Sequence, residues 1–321
     1  MNQMTIGIDL GGTRIKVGLV RDGTLTDSEI IDAKSGGGLR KQLPNIEKLI
    51  DQLLSRNGAD RSQLKGIGAT FPGIVDSTEM KIISTNAKYP DAPDIDLKAW
   101  ATSTFSAPFA MDNDARISLL GEWQYGAGKG VDDLVMVTLG TGIGGAALME
   151  GKLIRGKHFV AGCLGGHFSI NYHGKQCQCG NIGCVEAEAS SWRLPQLARE
   201  SAKFDKSTLA SVQVIDYEQV FKHAESGDEL ALELKNHSIW AWGIGIVNMI
   251  HAYDPTRVIV GGGIISHNDE VIVRFQEIVN KHTWTPWGKV EIVKGQWPEH
   301  NAILGCEYLL ESKTNRPADH D

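Results

Sequence analysis

The chain has 321 residues, 41% of them hydrophobic and 22% charged, a composition that excludes fibrous repeats and intrinsic disorder and a length that predicts two domains. Its formal net charge of -7, with no block of Lys and Arg, excludes an extended nucleic-acid surface, which would need clustered cations, and points to a small-molecule partner. No stretch reaches the roughly 18 to 20 apolar residues of a membrane-spanning helix, and Met1 to Ile8 lacks the basic and apolar regions of a signal peptide, so the expected compartment is the cytoplasm.

In chain order, Thr5 to Leu10 has a strand's composition, turns on Gly11, Gly12 and Thr13, and continues as a second strand from Ile15 to Val20. Arg21, Asp22 and Gly23 then supply a hairpin turn into a third strand. A helix is expected from about Leu39 to Arg56, a strand from Lys65 to Thr70, and an apolar stretch from Phe105 to Met111 ending at Asp112, with a helix beginning near Asp114. Leu134 to Leu139 repeats the opening layout: an apolar strand turns on Gly140, Thr141 and Gly142, continues from Ile143 to Met149, and ends at Glu150 and Gly151. The run from about Leu230 to Tyr253 reads as a long apolar helix stopped by Asp254 and Pro255; Val258 to Val260 is a short buried strand before Gly261, Gly262 and Gly263. The recurrence of strand, glycine turn and strand half a chain apart is the mark of a duplicated supersecondary unit, and strands alternating with helices predict a mixed α/β sheet. The polar tail 312–321 has no periodicity and is expected to be loose.

Glycine lets the backbone approach an anion and aim N–H groups at phosphate oxygens, and Asp9 beside the first turn is a candidate to hold Mg2+ through water. The same glycines also suit a plain hairpin. Three glycine turns after buried strands nevertheless suggest one nucleotide gripped from both sides, on a spacing that matches neither a P-loop nor a dinucleotide fingerprint. Asp114 is a candidate general base, since a carboxylate at a helix N-terminus is favoured as the anion; Asp112 or Asp114 could equally serve only as a cap. His167 with Cys177, Cys179 and Cys184 places one His and three Cys within 18 positions, a donor set that suits a closed tetrahedral Zn2+ site.

The pattern from Asp9 to Lys16, together with Gly140 to Gly142, Asn113 and Asp114, and the cysteine cluster, resembles the ROK family of sugar kinases, repressors and related proteins, in the actin-like ATPase superfamily. The likeness runs from residue 5 to about residue 305. It implies an α/β fold of two actin-like (ribonuclease H-like) domains of duplicated topology facing each other across a cleft: residues 1–117, completed by a C-terminal helix at about 302–311, and residues 118–301, carrying the zinc knuckle. It implies ATP with Mg2+ as phosphoryl donor, bound by Asp9, Gly11, Gly12, Thr13, Lys16, Gly140, Thr141, Gly142, Gly261 and Gly262. A hexose hydroxyl, O6 by preference, would be the acceptor, with Asp114 taking its proton and Asn113 orienting neighbouring hydroxyls. Glu186, His167, Asn86 and Gly73 are the further sugar contacts implied, structural Zn2+ would be held by His167, Cys177, Cys179 and Cys184, and a homodimer is the expected assembly.

Two positions depart from the family pattern. Arg116 stands where Asn-Asp-Ala-Asn is usual, a change on the helix expected to affect packing. Leu164 stands three residues before His167, where sugar kinases carry a glutamate that binds sugar hydroxyls. A sugar hydroxyl left unpaired there costs about 1 to 3 kcal/mol, so glucose is not expected to bind in the usual way. Three rivals follow: a repressor, disfavoured because Asp9 lies close to the start of the sequence; a catalytically silent sugar sensor; and a kinase that uses polyphosphate. The sugar, the hydroxyl attacked and the oligomeric state are not written in these motifs. Ser266, His267 and Asp269 read as loop, Trp240 and Trp242 as core or dimer contacts, and Trp284, Trp287 and Trp297 receive no role.

Overall fold

Residues 3–85, 87–266, 268–297 and 300–314 are described by the computed structural model, and the chain divides into two units. Met1–Gly130, Arg155–Ala161 and Glu299–Asp321 form the first; Val131–Ile154 and Gly162–Pro298 form the second.

The first unit opens with β1 (Met4–Leu10), β2 (Arg14–Arg21) and β3 (Thr24–Asp32), an antiparallel meander. After α1 (Leu43–Arg56) come β4 (Leu64–Phe71), a ribbon of β5 (Ile74–Asp76) and β6 (Lys81–Ser84), α2 (Leu97–Phe105), β7 (Phe109–Asn113) and α3 (Asp114–Tyr125). The sheet order is β3-β2-β1-β4-β7, with β1, β4 and β7 parallel. Helix α1 begins at Leu43 rather than Leu39, with Pro44 in its first turn, a position where the missing N–H does no harm. The apolar run from Phe105 to Met111 is divided: Ser106, at φ 54°, ends α2, and the strand starts at Phe109.

The second unit repeats the plan. It comprises β8 (Leu134–Leu139), β9 (Ile143–Met149), β10 (Lys152–Leu153), α4 (Val185–Ala189), α5 (Leu194–Glu200), α6 (Tyr217–Glu225), α7 (Glu229–Tyr253), β11 (Arg257–Gly261), α8 (Asp269–His282) and β12 (Glu291–Lys294). The sheet order β10-β9-β8-β11-β12 is again three antiparallel strands followed by two parallel ones. The expected duplicated α/β topology is thus present strand for strand. Helix α7 stops at Asp254, left-handed at φ 47°, before Pro255. Its Trp242 is buried and donates to Ala189 O at 2.7 Å, whereas Trp240 is half exposed and edge-on to His282.

The last helix, α9 (Asn301–Thr314), returns to the first unit and lies on its sheet and on α3. Glycines permit that approach: a Cβ on Gly18 would stand 2.6 Å from Ile303 Cγ2, and one on Gly68 would stand 2.5 Å from Cys306 Cβ. Because α3 packs on α9, the first unit runs on past residue 117 to Gly130. Ser312 to Thr314 belong to this helix; the remainder of the tail lies outside the described residues.

Arg116, the unusual residue on α3, is fully buried. Its guanidinium pairs with the equally buried Asp112 at 3.3 Å and donates to Phe159 O at 3.1 Å and Ala161 O at 2.6 Å, while Arg155 Nε reaches the other Asp112 oxygen at 2.8 Å. This is how the short segment Arg155–Ala161 is tied into the first unit. Removing one partner of a buried ion pair strands the other charge, at a cost of about 3 to 5 kcal/mol. Asp112→Ala is therefore expected to lower the denaturant midpoint by that equivalent. A shift worth less than about 1 kcal/mol would mean that the carbonyls alone satisfy Arg116.

Candidate active site and metal centre

In the first unit, Asp9 near the end of β1 lies in register with Lys16 on β2 and Thr70 on β4, and Thr70 Oγ1 donates to Asp9 Oδ1 at 2.6 Å. The turn that follows is braced from outside. Tyr89 OH donates to Gly11 O and Ser35 Oγ donates to Gly12 O, both at 2.7 Å, and Tyr89 N–H is bound to Ser35 O at 3.0 Å. Burial, and then the charge of Asp9, push the Tyr89 phenol upward, so it keeps its proton and stays a donor. Each turn carbonyl thus accepts from one hydroxyl behind the turn, which fixes the turn's conformation.

Asp114 opens α3 directly after β7. Asn113 is the N-cap, and its amide is fully committed: Oδ1 accepts from Ala115 N–H at 3.1 Å and Arg116 N–H at 3.3 Å, while Nδ2 donates to Gly73 O at 3.1 Å and Asp114 Oδ1 at 2.9 Å. Each of these four partners of the Asn113 amide lies within the protein. The cap is Asn113, and neither Asp112 nor Asp114 fills that position. Asp114 Oδ1 also accepts from Ala115 N–H at 2.8 Å. One carboxylate oxygen is thus held by two donors. Burial raises the Asp114 pKa to about 6, Lys88 opposes that rise, Asp9 adds to it, and the two donors pull it back. Gly73 likewise has both backbone groups engaged, its N–H with Phe71 O at 2.9 Å and its carbonyl with Asn113. Asn86 lies outside the described residues.

In the second unit, the turn of Gly140, Thr141 and Gly142 is gripped by the segment after α4: Ser191 N–H donates to Gly140 O at 3.4 Å and Trp192 N–H to Thr141 O at 3.2 Å. Glu186 is buried against this turn, with Oε2 accepting from Ile143 N–H at 2.8 Å and Oε1 from Trp192 Nε1 at 3.4 Å. A Cβ on Gly142 would lie 2.6 Å from Glu186 Oε2. Gly261 ends β11, and Gly262, at φ 97°, sits so near Leu139 O that a Cβ would be 2.2 Å away. Ile264 N–H donates to the same Leu139 O at 3.4 Å, which places the third glycine turn beside the second. Ser266 and Asp269 are loop and helix-start residues that meet Lys294, with no triad arrangement among the described residues; His267 lies outside them.

His167, Cys177, Cys179 and Cys184 converge, with their ligand atoms all within 4.8 Å of one another. Cys177 Sγ is 3.6 Å from His167 Nδ1, and Cys179 Sγ is 3.7 Å from Cys184 Sγ. Ligands at about 2.3 Å from a tetrahedral Zn2+ stand about 3.8 Å apart, so the donor set and its spacing fit the ion. Burial and the neighbouring thiols push the Cys184 thiol upward, and burial does the same to Cys177. A bound cation reverses that preference by stabilising thiolate. Leu164 lies in the same loop and is 39% exposed, with no carboxylate in its place.

The structure therefore gathers Asp9, Gly11, Gly12, Asn113 and Asp114 in one unit, and the second and third glycine turns, Glu186 and the Cys/His cluster in the other. Sequence reasoning missed Ser35, Thr70, Lys88 and Tyr89, which brace the first turn and bias Asp114. Ser35, Lys88 and Tyr89 lie in segments without periodicity and Thr70 in a predicted strand, and only tertiary contact reveals their part.

The ROK family profile matches residues 5–313. A glucokinase of Halalkalibacterium halodurans is 31% identical over 274 residues, 83% of this chain and 82% of that protein. A glucokinase of Thermotoga maritima is 30% identical over 315 residues, 96% and 97% of the two chains. Among solved structures, a ROK family glucokinase from Streptomyces griseus in complex with glucose and AMPPNP superposes with a TM-score of 0.78 at 25% identity, covering 96% of this chain and 99% of that one.

Purified protein is expected to contain stoichiometric zinc by elemental analysis, and Cys184→Ser to lose it and melt at lower temperature. Zinc-free protein with unchanged melting and full activity would overturn the metal assignment.

Proposed function

The chain belongs to the ROK family and is a carbohydrate kinase, and we propose that it moves the γ-phosphoryl group of ATP to the O6 hydroxyl of a hexose or hexose derivative, with Asp114 as general base. The observation that carries this reading is the state of Asp114: a half-buried carboxylate with one oxygen anchored, raised to about 6, in the same unit as the braced turn after Asp9. A base with that pKa is ionised at pH 7 yet basic enough to receive a proton in the transition state. The glucose and AMPPNP held by the Streptomyces griseus relative support a hexose acceptor and an ATP donor.

In the proposed step the sugar hydroxyl loses its proton to Asp114 as its oxygen bonds to Pγ, the bond from Pγ to the β,γ-bridging oxygen breaks, and ADP leaves with that electron pair. Asn113 keeps Asp114 in one rotamer. The residues assigned to ATP are Gly11, Gly12, Thr13 and Lys16 of the first unit and Gly140, Thr141, Gly142, Gly261 and Gly262 of the second. Asp9 would hold Mg2+ through water, and the ion would supply positive charge against the donor phosphates. His167, Cys177, Cys179 and Cys184 would hold Zn2+, which would order the loop from Cys177 to Cys184 that leads into Glu186. Glu186 is assigned to the sugar through Oε1, whose donor Trp192 stands at a long 3.4 Å. His167 joins the substrate side only through the ring edge that metal binding leaves over.

Leu164 favours a second reading, a sugar-binding sensor without turnover, because it removes a carboxylate that would hold sugar hydroxyls. A panel of hexoses, amino sugars, deoxysugars and glycosides with ATP-Mg2+, read as ADP release, separates the two. Turnover with substrates that carry a substituent or lack a hydroxyl supports the kinase; sugar binding with no ADP from any member supports the sensor.

Asp114→Asn is expected to keep nucleotide binding and to reduce turnover by about 10²-fold or more, and unchanged turnover would remove Asp114 from the mechanism. The kcat/KM of the wild type should fall with an acid limb near pH 6, where Asp114 takes its proton. The stability effect has the opposite sense. The folded carboxyl keeps its proton up to about 6 and the unfolded one only to 3.8, so the folded state binds more protons between them and Asp114 weakens the fold as pH rises through that window. Asp114→Asn should consequently gain stability relative to wild type at pH 8 and lose that gain near pH 4, measured by thermal melts.

A further inference from the structure

Beside the base lies a cation that the motifs do not account for. Lys88 follows the β5–β6 ribbon, and its side chain runs across the first glycine turn: a Cβ on Gly12 would stand 2.8 Å from Lys88 Cε, 3.0 Å from Cδ and 3.4 Å from Nζ. Its ammonium is also close enough to Asp114 to oppose the effect of burial there. Among the described residues no hydrogen bond or ion pair claims that ammonium.

The backbone holds this placement against its own preferences. Ala87 and Tyr89, on either side of Lys88, have φ of 61° and 52°, a left-handed conformation that costs a non-glycine residue energy and persists only where surrounding contacts impose it. The contacts are present: Tyr89 OH on Gly11 O, Tyr89 N–H on Ser35 O, and Lys88 N–H on Thr85 O at 2.9 Å. The residues that brace the turn are those that aim the lysine across it.

We infer that Lys88 is a further catalytic residue, whose ammonium binds the γ-phosphoryl group as it passes from ATP to the sugar. The inference rests on the kinase reading above. A transferring phosphoryl group spreads negative charge over its equatorial oxygens, and a fixed cation between the phosphate turn and the base is placed to meet it. Lys88 transfers no proton and forms no covalent bond; the hydroxyl proton goes to Asp114.

Calorimetric titration of the full chain with AMPPNP-Mg2+ and with ADP-Mg2+ tests it. Lys88→Met should weaken AMPPNP by about tenfold while leaving ADP unchanged, because only AMPPNP carries the γ-group, and Lys88→Arg should recover part of the loss. Equal effects on both nucleotides, or none, overturn the inference while leaving the kinase reading intact. Wild-type protein that binds neither nucleotide sinks the ATP-kinase reading and the inference with it. With the acceptor found by the panel, Lys88→Met should lower kcat by about 10²-fold or more with sugar KM little changed. A raised sugar KM at constant kcat would make Lys88 a contact for the acceptor and overturn its role at phosphorus.

Discussion

Everything in the first unit that bears on chemistry depends on keeping a carboxylate ionisable where burial disfavours its charge. Asp114 occupies the junction of a buried strand and a helix, and burial is the largest influence on it. Four things offset that cost: the helix N-terminus behind it, the Ala115 N–H, the Asn113 amide and the Lys88 ammonium. The balance leaves its pKa between an ordinary aspartate and neutrality. Strengthening the offsets would make Asp114 a poorer base, and weakening them would leave it protonated.

Asn113 shows how little slack that balance has. Its amide caps the helix, fixes Asp114 and ties both to the Gly73 carbonyl, so one side chain couples the loop after β4 to the helix that carries Asp114. Arg116 secures the same helix from below by neutralising Asp112, the last fully buried acid of β7, and gathering two carbonyls of the Arg155–Ala161 segment. An asparagine is too short to do both. The departure from the family pattern is thus a packing solution on the helix that presents Asp114.

What sequence could reveal followed from periodicity and local chemistry. β1, β2, β4 and α7 were legible because apolar runs bounded by glycine, or by Asp254 and Pro255, have few alternatives. The convergence of His167, Cys177, Cys179 and Cys184 was legible because their spacing is itself the signal. The division of Phe105 to Met111 was not, since an apolar helix end and an apolar strand start look alike until Ser106 is seen to be left-handed. Lys88 and Tyr89 were invisible for another reason: their meaning lies in contacts with residues far away in sequence. The capping role of Asn113 was not legible either, because Asp112 and Asp114 are equally good caps by residue type and only the contacts of the amide decide among them.

The two halves repeat one topology but stabilise their turns with opposite chemistry. After β1 the turn carbonyls are satisfied by two neutral hydroxyls, from Tyr89 and Ser35. After β8 the turn instead takes an internal anion, with the Glu186 carboxylate on the Ile143 N–H against Gly142. An N–H that already binds a carboxylate is closed to phosphate, and a negative charge beside it repels one. The Ile143 N–H of the second turn is therefore closed to a further anion, whereas in the first turn the bracing falls on carbonyls. Duplication supplied two equivalent strand-turn-strand units; the residues packed behind each turn made them different, with Lys88 lying across the first and Glu186 against the second.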